Sequence, residues 1–277
     1  MTELAVSRLS YFGLPGRRAA RPPSGRFTLQ AYCFPAALWA VKESLRFERE
    51  DLEGFHRYLK ENLPYNSRET RARYTRIIFA QVFPDEHLRP LAALIWEQYR
   101  DELLMEAVAR VVWVERQPPL AQFLRERLVN VPVDAALPRE TVEDFVRSQS
   151  VGFQERAAER LLRNLVGLGF CRWDSRDRPR PGVARQLTVS DVHVDPTSFI
   201  LLIHHRFAPE PATVEVDTIL ADASWIYLGL RSPDEVRRIL KEAVARQLLD
   251  RYTAVDRLEQ VTTRYSLQEF LAGQRRL

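Results

Sequence analysis

The chain is predicted to be mainly α: an N-terminal helical bundle followed by two winged-helix-like modules built from helices and short β-hairpins. Three observations lead there. Apolar residues recur at helical spacing over most of residues 34–130. Prolines at 64, 84, 90, 118 and 119 fall between those runs, where helices end. Twice after Pro138 a helical stripe passes through a short turn into alternating side chains, in "LLRNLVGLGFCRW" (161–173) and "ILKEAVARQLLDRY" (239–252). A helix that runs at once into a strand belongs with that strand in one unit, and the unit occurs twice.

At 277 residues, 45% hydrophobic and 28% charged, the composition is that of a folded soluble protein. No apolar run reaches the roughly 18 residues of a membrane span. The opening "MTELAVSRLSYFGLPGRR" has no basic region followed by an apolar core, so no signal peptide is expected. Cys33 and Cys171 form neither a disulfide framework nor a metal spacing, and a reducing cytoplasm fits them.

The net charge of +4 is concentrated at the start of the chain. Residues 1–30 hold Arg8, Arg17, Arg18, Arg21 and Arg26 against Glu3, leaving 36 of the 41 basic and 36 of the 37 acidic side chains for the rest. "GLPGRRAARPPSGR" (13–26) has no apolar periodicity and reads as a flexible basic arm, fit to lie along phosphates or to remain a solvated tail. Lysine occurs only at 42, 60 and 241. Nearly all positive charge is therefore arginine, which suits bidentate phosphate and base-edge contacts.

Residues 31–132 are assigned to the bundle. Within it, 51–63 and 67–83 are two helices joined across "PYN", with Asn66 as the expected N-cap and Glu69 three residues on. The second carries Tyr74, Ile78 and Val82 on one face and Arg73 and Arg76 on the other. This pair fits a DNA-contacting helix-turn-helix, or an ordinary surface hairpin. "LRPLAALIWEQYRDELLMEAVARVVWV" is expected to bend or break, and "LAQFLRERLV" closes the bundle.

Residues 133–194 form the first module: helices in "PRETVEDFVRSQ" and "QERAAERLLRNLVG", then strands in "FCRW" and "RQLTVS". Residues 195–277 form the second, with helices in "FILLIHHRF", "TVEVDTILADA" and "SPDEVRRILKEAVARQ". Its hairpin runs from "LLDRYTAV" to "EQVTTRYSL", and Ser232 and Pro233 open its last helix.

Opposite the stripe Ala158, Leu161, Leu162 and Leu165, at about 160°, stand Arg156, Arg160 and Arg163. Arg176, Arg178, Arg180 and Arg185 follow in the loop between the strands. Such arginines reach phosphates and guanine edges in a major groove. Glu155 and Glu159 offer i, i+4 partners that would make the same face an ordinary solvated one. The corresponding helix of the second module, with Arg238, Lys241, Glu242 and Ala245 outward, is only slightly basic and reads as a partner surface or scaffold.

Catalysis is not expected. No glycine-rich phosphate loop is present. The residues two before the lysines are Ala40, Tyr58 and Ile239, so the carboxylate-x-lysine element of common nucleases is missing. Asp191, His193, Asp195 and the pair His204–His205 lack the spacing of a metal site, and Cys171 reads as a half-buried strand residue. No metal and no cofactor are expected.

The order of "NSRETRARYTRII", "SQSVGFQERAAERLLRNLVGLGF", "FILLIHHRF", "WIYLGL" and a closing "RYSL" over residues 30–270 resembles the BrxA family of BREX bacteriophage-defence systems. The resemblance implies a small helical accessory protein that binds double-stranded DNA without catalysis, acting beside other defence subunits. The basic arm departs from the pattern. An adaptor that uses its winged helices to contact partner subunits is the competing reading, since fold alone does not choose.

Overall fold

Capping residues and prolines cut the first half of the chain into short helices. In a computed structural model, which describes residues 29–83, 87–149, 155–173, 187–256 and 258–277, α1 (Phe34–Ser44) opens with proline in its first turn. Next comes α2 (Leu52–Asn62), capped by Asp51, whose side chain accepts from the Gly54 amide. The cap of α3 (Arg68–Val82) is Ser67, accepting from the Thr70 amide at 3.3 Å. Asn66, the expected cap, lies one residue outside, because Ser67 is the last residue with extended backbone (φ −90°, ψ 133°).

The long apolar run breaks as its sequence implies. α4 (Leu91–Tyr99) ends where Arg100 turns left-handed (φ 51°), and Asp101 caps α5 (Glu102–Glu115) through the amides of Leu103 and Leu104. α6 (Pro118–Phe123) continues into a π-helical turn, Leu124–Leu128. α5 is the axis of the fold. It packs on α1, α3, α4 and α6 of the bundle and on two helices from later in the chain. Trp113, fully buried on it, meets Phe34 edge-on at 5.6 Å.

The second half holds two small three-stranded antiparallel sheets. In the first unit, β1 (Ala136–Leu137) precedes α7 (Arg139–Gln149) and α8 (Glu155–Gly167), and β2 (Cys171–Trp173) and β3 (Leu187–Val189) follow. The strand order is β1-β3-β2, with Ala136 opposite Thr188 and Cys171 opposite Val189. The second unit begins with α9 (Pro196–Arg206) and β4 (Thr213–Glu215). It continues through α10 (Val216–Ala221), α11 (Ser224–Leu228) and α12 (Pro233–Ala245) to β5 (Leu249–Val255) and β6 (Leu258–Thr263). Its order, β4-β6-β5, is the same.

Three elements differ from the sequence reading. β1 and β4 add a third strand to each expected hairpin; at two and three residues they are too short to show alternation. Residues 213–215, read as the start of a helix, are β4, because Thr213 and Val214 pair with Thr262 and Val261. After the second hairpin the chain forms a further helix, α13 (Leu267–Ala272), with Ser266 and Glu269 making a capping box. α13 and the C-terminus return to the bundle, where Tyr99 donates to the Arg275 carbonyl at 3.0 Å and Arg276 pairs with Asp101 at 2.8 Å.

The helix-to-strand passages share one geometry. Two residues beyond α8 stands Gly169 (φ +82°), and two beyond α12 stands Gln247 (φ 60°). In each case this second residue past the helix end turns left-handed and the strand begins two residues later, as in a C-terminal left-handed cap. Among the described residues, no helix is long and apolar enough to cross a membrane.

Candidate nucleic-acid interface

The stripe on α8 packs as its spacing implies, with Ala157, Ala158, Leu161, Leu162 and Leu165 buried. Beside them sits Asn164, fully buried, which periodicity did not single out. Its Oδ1 accepts from Trp113 Nε1 (3.1 Å) and Gln117 Nε2 (3.4 Å). Its Nδ2 donates to the carbonyls of Arg160 (2.8 Å) and Gln30 (3.4 Å). A buried amide satisfied on both ends fixes the rotation of α8 against α5 and the chain entering α1.

That rotation presents Arg156, Arg160 and Arg163 to solvent. They are not equivalent. Arg160 donates from Nη1 to the Leu29 carbonyl at 2.9 Å and is thereby partly committed to the fold. Glu159 reaches across to Arg139 of α7 at 2.9 Å, away from the arginines of its own helix. Among the described residues no ion pair joins Glu155 or Glu159 to Arg156 or Arg163. Among the described residues these two guanidiniums, about 10 Å apart along the helix, therefore have no paired carboxylate.

No family model, curated protein or solved structure matches the chain. The geometry is what bears on function.

Arg73 and Arg76 are exposed on α3, and the Arg73 guanidinium stands 4.8 Å from the ring of Tyr74. Arg71, between them and the cap, is spent on structure: its Nε donates to the Lys60 carbonyl (2.9 Å) and its Nη1 to that of Tyr65 (2.7 Å), closing the end of α2. Arg73 also acts electrostatically on Cys33, opposing the burial that pushes this thiol up to about 12. The segment preceding α1 touches α8 at Arg160. Arg176, Arg178 and Arg180, like the arm, lie outside the described residues.

On α12 the same inventory is neutralised. Arg237 pairs with Asp234 (3.2 Å) and Glu259 (2.6 Å), while Arg238 and Arg246 share Glu242 (3.5 and 2.8 Å). Lys241 stands 5.2 Å from the ring of Tyr252. At the turn of this hairpin two large apolar side chains face solvent, Val255 at 60% and Leu258 at 49%, directly opposite each other.

The residues considered for metal or nucleophile chemistry are placed apart. Asp195 caps α9 by accepting from the Thr197 amide, and Asp191 and His193 are exposed. His204 is buried against Phe270, with ring centroids 4.7 Å apart. Among the described residues no three His, Cys, Asp or Glu side chains are grouped to hold a metal ion. Burial pushes the Cys171 thiol up to about 12, which leaves it protonated at neutral pH.

Proposed function

We propose that this protein is a non-catalytic binder of double-stranded DNA whose first unit works as a winged helix, with α8 in the major groove and the β2–β3 loop against the backbone. The observation that carries the reading is the pair Arg156 and Arg163. Both are exposed and free of carboxylates on the same helix, and that helix is followed by a hairpin whose returning strand is central in the sheet. The reading is supported by the element order, with the turn ending at Leu128 before β1, α7 and α8 after it, and a sheet in the order β1-β3-β2, an order that a winged helix would also have. The resemblance to the BrxA family extends the proposal to an accessory protein of a cytoplasmic phage-defence system.

The test is the salt dependence of binding to a duplex of arbitrary sequence. Each phosphate contact contributes roughly −0.9 to the slope of log affinity against log salt. Arg156→Ala with Arg163→Ala is expected to flatten that slope by roughly 2 while leaving thermal unfolding unchanged, since neither residue is buried or bonded within the described fold. Absence of duplex binding by the wild type even at ~50 mM salt would remove the proposal.

A second reading, a protein–protein adaptor, is favoured by Val255 and Leu258 at the tip of the second hairpin. It expects no effect of the α8 double variant on partner binding and a loss on Val255→Ser with Leu258→Ser.

A further inference from the structure

The chain beyond α13 is fastened to the bundle mainly through its backbone. Tyr99 donates to the carbonyls of Phe270 (3.3 Å) and Arg275 (3.0 Å), and Gln274 Nε2 donates to the Gln98 carbonyl (2.8 Å). The Leu277 amide donates to Thr197 Oγ1 at 3.1 Å. Of the two arginines here, Arg276 is spent on Asp101 (2.8 Å) and Arg275 is not. The Arg275 guanidinium stands 3.7 Å from the centre of the Tyr265 ring, and Arg264 brings a second guanidinium to 5.6 Å from the same ring. Room for the first comes from Gly273, where a Cβ would meet Arg275 Nε at 3.1 Å and Cζ at 3.2 Å.

Neither guanidinium is matched. Among the described residues no carboxylate pairs with Arg264 or Arg275, and neither side chain makes a hydrogen bond. The acids beside them along the chain and at the tail are committed elsewhere: Glu269 accepts from the Ser266 amide and hydroxyl, and Asp101 takes Arg276. Arg275 Nε is buried with no partner, and the Tyr265 hydroxyl likewise makes no hydrogen bond among the described residues. A cation fixed in place with an orphaned donor is held at a cost that an anion against it would offset. Two guanidiniums and a hydroxyl offer more donors than the two oxygens of a carboxylate can use. Two positive charges match the double charge of phosphate or of a phosphate monoester and exceed the single charge of a nucleic-acid phosphodiester. We propose that Arg264, Tyr265 and Arg275 form a binding site for a phosphate dianion, either free phosphate or the terminal phosphate of a small ester. The site shares no residue with the arginines of α8 and does not rest on the DNA reading. Since Arg264 follows β6 and Arg275 follows α13, the bound anion ties the end of the chain to the second hairpin.

The test is calorimetric titration of the full-length chain with inorganic phosphate, at constant ionic strength so that screening does not change. Binding of one equivalent with a Kd of about 1 mM or tighter is expected. Arg264→Gln, at an exposed position free of hydrogen bonds, keeps the fold and is expected to weaken binding about ten-fold or more. Gly273→Ala displaces the Arg275 guanidinium without changing charge and is expected to act in the same direction. Arg246→Gln removes a cation already paired with Glu242, so it controls for net charge and is expected to leave binding unchanged. Thymidine monophosphate in place of phosphate distinguishes the sources: tighter binding assigns the site to an ester, equal or weaker binding to free phosphate. A wild type that binds neither compound overturns the proposal. So does equal weakening by Arg264→Gln and Arg246→Gln, or unchanged phosphate binding by both Arg264→Gln and Gly273→Ala. An Arg264→Gln effect confined to duplex DNA would make these arginines part of a nucleic-acid surface instead, and overturns it as well.

Discussion

The two helix-and-hairpin units share a strand order and a left-handed exit from their second helix, yet opposite chemistry fastens them to the bundle. The first is held through a neutral network: Asn164 of α8 lies between Trp113 and Gln117 on one side and backbone carbonyls on the other. The second is held through ions. Arg206 of α9 donates to both carboxylate oxygens of Asp222 (3.1 and 3.0 Å) and to Glu115 of α5 (2.6 Å), with all three side chains mostly buried. On the solvent side the contrast reverses. α12 presents cations matched by carboxylates, whereas Glu159 of α8 pairs with Arg139 of α7 and, among the described residues, not with the arginines of its own helix. Topology alone therefore does not make an anion-binding face. The placement of a few carboxylates decides which copy has its helix cations matched.

The comparison breaks most visibly at the ionic tie. Arg206→Ala would leave Glu115 and Asp222 buried together without a cation, and Glu115 is already pushed up by burial despite Arg206 beside it. A loss of about 3–5 kcal/mol is expected in denaturant unfolding. A loss below about 1 kcal/mol would mean that the triad contributes little to the docking of the second unit.

Acid should separate the units next. Burial pushes His204 of α9 down to about 4, and the backbone at Ala208 and Tyr265 offsets this only in part, through approaches too poor to be hydrogen bonds. His205 is shifted to about 4 in the same way. A histidine whose folded value lies below its unfolded value of about 6.5 stays neutral in the fold, so its contribution is fully present above that pH. It is lost as pH falls from about 6.5 to about 4, because the unfolded chain takes up the proton first. Roughly 3 kcal/mol is at stake for His204 by the bottom of that window, at about 1.4 kcal/mol per pH unit. Hydrogen exchange near pH 5 should show α9 and α13 losing protection before α8, and His204→Leu should flatten the pH profile of unfolding. Parallel loss in both units would place the acid-sensitive groups elsewhere.

The smallest effect sharpens the functional contrast. Arg238→Ala with Lys241→Ala on α12 is expected to change the DNA salt slope by less than about 0.5, against roughly 2 for the matching pair on α8. Equal effects would extend the DNA surface across both units and remove the distinction drawn between them.

Much of the fold was legible along the chain. Ser232 caps the helix it precedes, as its sequence implied, and the break between α4 and α5 falls within the long apolar run. The passage of α8 into β2 could be read because Gly169 stands where a left-handed residue is needed. In the second unit Gln247 takes that conformation at a cost of about 1 kcal/mol, and there only the change from helical to alternating apolar spacing marked the turn. β1 and β4 were not legible, since two or three residues carry no period and exist as strands only because β3 and β6 hold their hydrogen bonds. α13 was missed for a related reason. Its six residues are too few for a stripe, and its buried Phe270 and Leu271 gain meaning only against the bundle.

For the candidate site, sequence by itself determined that α8 has one apolar stripe and that Arg156, Arg160 and Arg163 stand opposite it, because a helix's period fixes which side chains share a face. It did not distinguish among the three arginines. That distinction came from Leu29, 131 residues away from Arg160, and from Arg139 on the neighbouring helix, which drew Glu159 off the arginine face. Periodicity is a property of adjacent residues. Whether a charge is free depends on which distant backbone carbonyl or carboxylate packing brings within about 3 Å of it, and that only the tertiary structure decided.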